Sequence, residues 1–268
     1  MSNFVKIRSR HGSHDVLRKT IVTDRPTVVR FGSNTVMPDH YREINTVDAC
    51  MNSANKRTMK ELFTQANVAT AIWLYPQNEQ ELRQWLTTNE LDNRKVIIKS
   101  LRGSRGRGLY LLQQGSEAIE WFIRKGFGGH IIEKYYDYNR EYRLHVSKEG
   151  CFYTCRKMLK SDVDPANRWY RNDSNSVWIL PENAAFEKPI NWDTIVEHCV
   201  TALNAVGLDL GACDVRVQSS RNSEGSLRTN PSFIICEINS APSFGDITSQ
   251  KYKTEIERIC AEFSDTTV

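Results

Sequence analysis

Lys99 stands at the end of an apolar run, Lys95 to Lys99, and is followed at once by Gly103-Ser104-Arg105-Gly106-Arg107-Gly108. Glycines in such a turn let backbone amides approach phosphate oxygens, and Lys99, Arg105 and Arg107 add positive charge, so the segment suits phosphate binding. It is not a P-loop, because no Gly-Lys-Ser/Thr follows and the turn leads into a second apolar run instead of a helix. A flexible basic hairpin, or an arginine-glycine segment that grips RNA, fits the same residues.

Two further groups carry chemistry. Glu133-Lys134-Tyr135-Tyr136 directly follows Ile131-Ile132. A strand that runs out into an extended linker exposes backbone groups able to read a base edge, with aromatic neighbours to pack the ring. Glu141, eight residues after Glu133, is an acceptor of the kind a ribose hydroxyl needs. The plainer alternative is a strand end carrying surface tyrosines. Later come Asp214 and then Glu237-Ile238-Asn239. Strand alternation puts Glu237 and Asn239 on one face, and Asp214 can join them from a neighbouring strand. Two carboxylates and an amide oxygen form a hard oxygen set suited to Mg²⁺. Salt bridges to Arg143 or Arg216 are the alternative. An acidic pair in apolar strands is costly unless compensated, and the metal is the preferred reading.

The elements that must position these residues follow from periodicity. Thr27 to Phe31 reads as a buried strand, and residues 45–67 as one helix with Ala54, Met59, Leu62, Phe63 and Ala66 at three and four spacing. Residues 68–75 read as a strand and 79–86 as a short amphipathic helix. Strands at 95–99 and 109–113 flank the glycine-rich turn as a hairpin, with a helix at 116–125 behind it. Residues 130–133, 140–146 and 151–159 have the spacing of a three-stranded antiparallel meander, and 161–175 reads as a polar loop. A helix at 193–206 stops at Gly207, strands at 214–218 and 233–238 close the sheet, and a last helix covers 249–263.

Bulk composition narrows the class without choosing the chemistry. The chain has 268 residues, is 40% hydrophobic and 25% charged, and carries a net charge of +4. That is an ordinary globular balance, with no apolar run of the ~20 residues needed to span a bilayer. The polar, basic first ten residues lack the apolar core of a secretory signal, so a soluble, cytoplasmic protein is expected. Seven cysteines in no zinc-ribbon spacing read as reduced core thiols.

The order of the motifs is more specific than any one of them. A lysine with a glycine-rich turn, then Glu-Lys-Tyr-Tyr, then a distant aspartate, then Glu-x-Asn before Ser240-Ala241-Pro242, resembles the layout of the ATP-grasp superfamily. Within it the chain is similar to the carboxylate-amine ligases, including D-alanine ligases and the glutamate ligases that modify a ribosomal protein. The resemblance spans roughly residues 50 to 245, with Asn55-Lys56 and Met59 at its start.

The resemblance implies an α/β (α+β) chain in which two lobes grip ATP. A short N-terminal lobe would cover 1–55, a small lobe with the hairpin 56–130, and a large lobe with the metal site 131–268. Lys56 and Lys99 would hold the ATP phosphates under the loop of Gly103, Ser104, Arg105, Gly106 and Gly108. Glu133, Lys134, Tyr135 and Tyr136 would line the adenine, and Glu141 would take the ribose. Asp214, Glu237 and Asn239 would hold two Mg²⁺ ions, with Arg143 and Arg156 or Lys157 facing the transferred phosphoryl. D-alanine ligases place an arginine two residues before the metal aspartate. Here that residue is Ala212, which shifts the oxyanion role to Arg216 or Arg171.

The implied reaction forms an amide from a carboxylate and an amine through an acyl-phosphate, the partners being small molecules or a protein tail. Two other readings use the same residues. One is an ATP-binding regulatory module without ligase activity. The other is a single-stranded nucleic-acid binder that stacks bases on Tyr135, Tyr136, Trp169 and Tyr170. Trp169 to Asn172, exposed aromatics beside an arginine in a polar loop, also suit a substrate lid.

Overall fold

The computed structural model describes residues 3–103, 107–172 and 174–265. Ser104, Arg105 and Gly106, assigned above to the phosphate loop, lie outside the described residues. The strands in chain order are β1 (Asn3–Phe4), β2 (Lys6–Ser9), β3 (Val22–Thr23), β4 (Thr27–Phe31), β5 (Arg42–Ile44), β6 (Trp73–Leu74) and β7 (Val96–Ser100). They continue with β8 (Leu109–Leu112), β9 (His130–Lys134), β10 (Arg140–Ser147), β11 (Gly150–Leu159), β12 (Ser176–Ile179), β13 (Leu210–Val217) and β14 (Phe233–Asn239). The helices are α1 (Val47–Ala54), α2 (Lys56–Gln65), α3 (Glu79–Thr88), α4 (Glu117–Lys125), α5 (Trp192–Val206) and α6 (Asp246–Asp265).

A five-stranded antiparallel sheet in the order β12-β11-β10-β13-β14 is the largest unit. Alternation gives it two chemically opposite faces. Tyr142, Leu144 and Val146 of β10 and Cys213, Val215 and Val217 of β13 bury one face against α5 and α2. Burial of each such side chain is worth about 1.5–3 kcal/mol. The intervening residues, Glu141, Arg143, Asp214 and Arg216, face the other way. Helix α5 ends where Gly207 takes φ +81°, with its N–H and that of Leu208 donating back to Asn204 and Leu203.

A second antiparallel sheet, β6-β9-β7-β8, packs under α3 and α4 through Leu82, Leu86, Ile98, Phe122 and Ile132. The expected meander is therefore corrected: β9 leaves β10 and β11 and pairs with β7 and β6. The apolar pattern of Ile131-Ile132 fits either sheet, and strand spacing alone does not choose between them.

The first fifty residues hold more than the single strand expected. Strands β2, β4 and β5 form a parallel sheet packed on α6 through Ile7, Val29, Phe31, Tyr252 and Ile256. Asn45, in the left-handed region at φ +61°, ties this sheet to the large one. Its Nδ2 donates to the carbonyls of Arg30 and Leu210, and its Oδ1 accepts from the N–H groups of Asp209 and Leu210.

The single helix expected over 45–67 is two. Asn55 breaks it with φ −102° and ψ 111°, and its side chain caps α2 by accepting from the N–H groups of Arg57 and Thr58. The cap satisfies donors that a continuous helix would have paired internally, and it aims the first residue of α2, Lys56, out of the helix end. Among the described residues no helix is long and apolar enough to cross a membrane, and all seven cysteines are free.

Candidate functional site

The four-stranded sheet and the polar face of the five-stranded sheet enclose a cavity of about 860 Å³. Lys99 ends β7 on one side. Its Nζ lies 2.6 Å from Glu133 Oε2 on β9, the strand beside it, and Lys60 of α2 reaches the same carboxylate at 3.2 Å. Burial alone would raise the Glu133 carboxyl, but the two lysines override it and hold it below its ordinary value. Burial lowers Lys60 despite the carboxylate, whereas for Lys99 burial is outweighed by Glu133 and the ammonium is held above its ordinary value. Lys99 is thus a fixed cation on the cavity wall.

The hairpin after Lys99 turns back on itself through glycine. Gly108 takes φ +73°, a Cβ there would lie 2.8 Å from Ser100 Cβ, and a Cβ at Gly103 would lie 2.4 Å from the Arg107 carbonyl oxygen. Neither position has room for a side chain, and the turn brings Arg102, Gly103 and Arg107 into the cavity wall.

Across the cavity the ends of β13 and β14 bring Asp214, Glu237 and Asn239 together. Asn239 Nδ2 lies 3.2 Å from Glu237 Oε1 and 3.4 Å from Asp214 Oδ2. Arg143 on β10 grips Asp214 with both prongs, Nε to Oδ1 at 2.8 Å and Nη2 to Oδ2 at 2.9 Å. Lys56 donates to Glu237 Oε2 at 3.0 Å. The nearby Lys56 is the chief cause of a Glu237 carboxyl lowered to about 2, against the opposing effect of burial. Burial would lower Arg143, but the Asp214 carboxylate raises it.

This donor set fits a hard divalent ion. All four carboxylate oxygens of the pair are met by N–H donors, the role a cation fills, and a half-turn of the Asn239 amide exchanges its NH₂ for its oxygen. The described residues hold no cluster of three or more His, Cys, Asp or Glu with metal-holding geometry, so water or phosphate oxygens would have to complete the shell.

The third wall is the loop after β11. Trp169, Tyr170, Arg171 and Asn172 line the cavity. Arg216 Nη2 donates to the Trp169 carbonyl at 2.7 Å and Arg171 Nη2 to that of Asn139 at 2.7 Å. Between them Glu141 accepts from Arg216 Nε at 3.1 Å and Arg171 Nη1 at 3.5 Å.

The arrangement of these sheets and helices is similar to that of several solved structures. The ATP-grasp ligase PsnB, solved with a minimal precursor, superposes over 85% of this chain and 65% of its own, with TM-score 0.55 and 14% identity. The chain has the ATP-grasp fold. D-alanyl-alanine synthetase A from Vibrio cholerae O1 biovar eltor str. N16961 matches over 90% of this chain and 74% of its own, at TM-score 0.57 and 15% identity. The ADP complex of PurK, an N5-carboxyaminoimidazole ribonucleotide synthetase, gives TM-score 0.59 and 15% identity over 88% of this chain and 60% of its own. The chain therefore spans less than two thirds of the length of PsnB and of PurK. No family model and no curated protein matches the sequence.

Within the ATP-grasp fold most of the expected side chains meet in one place. Lys56, Lys99, Gly103, Glu133, Lys134, Tyr136, Glu141, Arg143, Asp214, Arg216, Glu237 and Asn239 all line the cavity. Three do not. Arg156 is corrected: it pairs across the strands with Tyr142 and Ile179, and its guanidinium donates to the Ala185 carbonyl and Glu187 on the helix-covered face. The adjacent Lys157, one step along the strand, is the residue that lines the cavity. Tyr135 is outside the lining, and its backbone N–H donates to the Lys95 carbonyl at 3.0 Å, so that donor is not available to a base edge. Gly108 shapes the turn without lining the cavity.

Glu133, which lines the cavity, is the partner of two lysines. Lys60 escaped sequence reasoning although it sits three residues before the buried Phe63 and shares its helix face. The N-terminal contribution, Arg10, His11, Gly32 and Asn34, carries no motif and was also missed.

Proposed function

We propose that this protein binds ATP in the cavity and spends it to join a carboxylate to an amine through an acyl-phosphate. The observation that carries this is the meeting of the Lys99 hairpin and the Asp214, Glu237 and Asn239 cluster across a single cavity, in a chain with the ATP-grasp fold. A cavity of about 860 Å³ is of the size that encloses a nucleotide-sized ligand.

The triphosphate would lie between Lys99, Lys56 and the described flanks of the hairpin turn, Gly103 and Arg107, where fixed cations oppose its charge. The base would lie against Tyr136 and Lys134, where β9 runs out into the linker. Glu141 would accept from the ribose. Asp214, Glu237 and Asn239 would hold magnesium, two ions by the resemblance, which supplies neutralisation of phosphate charge when bound.

A substrate carboxylate oxygen attacks the γ-phosphorus, forming a C–O–P linkage as the bond from the γ-phosphorus to the ADP oxygen breaks. An amine then attacks the acyl carbon, the C–O bond to phosphate breaks, and the amine loses a proton to leave an amide. No side-chain nucleophile is needed. Arg143, Arg216 and Lys157 line the cavity and would oppose charge on the transferring group. A cytoplasmic setting, rich in ATP and reducing, suits the seven free cysteines.

The test is release of ADP from ATP with candidate acids and hydroxylamine as the amine, since hydroxylamine captures an acyl-phosphate as a hydroxamate. Magnesium- and acid-dependent ADP release with matching hydroxamate is expected. ADP release that ignores the acid, or tight MgATP binding without turnover across a broad set of acids, contradicts the ligase reading.

A further inference from the structure

Past Asn239 the cavity runs on into an arm walled by the N-terminal strands, α1 and the segment after β14. Arg10, His11, Gly32, Asn34, Ser53 and Ser243 line it, and no carboxylate does. Gly32 takes φ +67°, and a Cβ there would sit 3.1 Å from Ala241 Cβ, 3.9 Å from Ser240 Oγ and 3.9 Å from Arg10 Cδ. The stem of Arg10 therefore lies beside the residues that directly follow Asn239.

The charge of this arm differs from that of the rest of the cavity. Elsewhere each carboxylate has its own cation: Lys60 and Lys99 for Glu133, Arg216 and Arg171 for Glu141, Arg143 for Asp214, Lys56 for Glu237. Arg10 is exposed and makes no side-chain hydrogen bond or ion pair with the described residues. Over the whole lining, ten lysines and arginines stand against four carboxylates. ATP brings about two net negative charges with one magnesium ion and about none with two, and the reacting carboxylate brings one more, so the lining has cations to spare for further anionic charge.

We propose that Arg10 receives a second anionic group, a carboxylate or a phosphate, on the acid that is activated, and so selects dianionic acids over monoanionic ones. This rests on the ligase reading and adds to it a substrate class. Arg10 holds the non-reacting end of the substrate while the reacting carboxylate points toward Asn239. A charge-assisted contact of this kind is worth about tenfold or more in affinity.

The experiment measures binding of succinate, its monoamide succinamate and 3-phosphonopropionate to MgADP-loaded protein by calorimetry, for wild type, Arg10→Gln and Arg10→Glu. Thermal denaturation confirms that each variant is folded. The expected result is about tenfold or greater preference for one dianion over succinamate in wild type, near parity in Arg10→Gln, and a reversed order in Arg10→Glu. Succinate and 3-phosphonopropionate separate carboxylate from phosphate as the preferred group. Equal binding of dianion and monoamide to wild type, no dianion binding at all, or a preference unchanged in Arg10→Gln overturns the proposal. MgADP that fails to bind the wild-type protein would instead overturn the ligase reading itself.

Discussion

The two faces of the five-stranded sheet are built from the same strands and answer to different constraints. On one, Tyr142, Leu144 and Val215 are fully buried under α5 and α2. On the other, Glu141, Arg143, Asp214 and Arg216 line an open cavity in cross-strand ion pairs. One residue of register separates them, as Arg156 and Lys157 show by facing opposite ways. The helix-covered face sets stability through packing, and the cavity face can carry charge because each of its carboxylates is matched by a cation.

If that division is right, the two faces fail in different ways. Glu237→Gln or Asp214→Asn should cut acid-dependent ADP release by about a thousandfold, while the urea transition stays cooperative and the loss of stability stays below that of the buried lysine clamp. A large loss of stability in either variant would erase the distinction. The buried lysine clamp marks the opposite extreme. Glu133→Gln leaves Lys60 and Lys99 facing each other without a counter-charge and should cost about 3–5 kcal/mol, read as a lower urea midpoint. Leu144→Ala on the helix-covered face should cost about 2–5 kcal/mol by leaving a cavity, with nucleotide affinity unchanged in the folded fraction.

Smaller effects sharpen the comparison. Glu237 is held near 2, below its ordinary 4.5, so its ionised form favours the folded state above pH 4.5. That contribution is lost as the pH falls from 4.5 through about 2. Lys56→Met should return the Glu237 carboxyl toward 4.5, measurable by carbon NMR titration, and a carboxyl that stays near 2 would mean Lys56 is not the cause. Least of all, Arg156→Met should change ADP release by less than about twofold, whereas Lys157→Met should slow it by more. Equal losses would place both side chains in the site and contradict their opposite orientation.

Much of this arrangement is legible in the chain itself. Strand alternation is enough to put Glu237 with Asn239, and the hairpin follows from two apolar runs around glycines. The positions of Gly207 and Asn55 are also written locally, though Asn55 reads as part of a helix until its capping role is seen. What stays hidden depends on partners distant in sequence. Ile131 and Ile132 fit either sheet, so the placement of β9 needs β7 beside it. Whether an inward basic residue is Arg156 or Lys157 turns on a single step of register, which a window holding both cannot fix. Lys60 looks like an ordinary helix lysine until Glu133 arrives from 73 residues away.

The central claim, that magnesium and ATP are held between the hairpin and the β13–β14 cluster, is tested most directly by titrating ATP with and without magnesium. The comparison is between wild type and Glu237→Gln. Magnesium should tighten ATP binding to wild type at least about tenfold and do so far less for the variant. The same magnesium-dependent gain in both proteins, or no ATP binding by wild type, would contradict it.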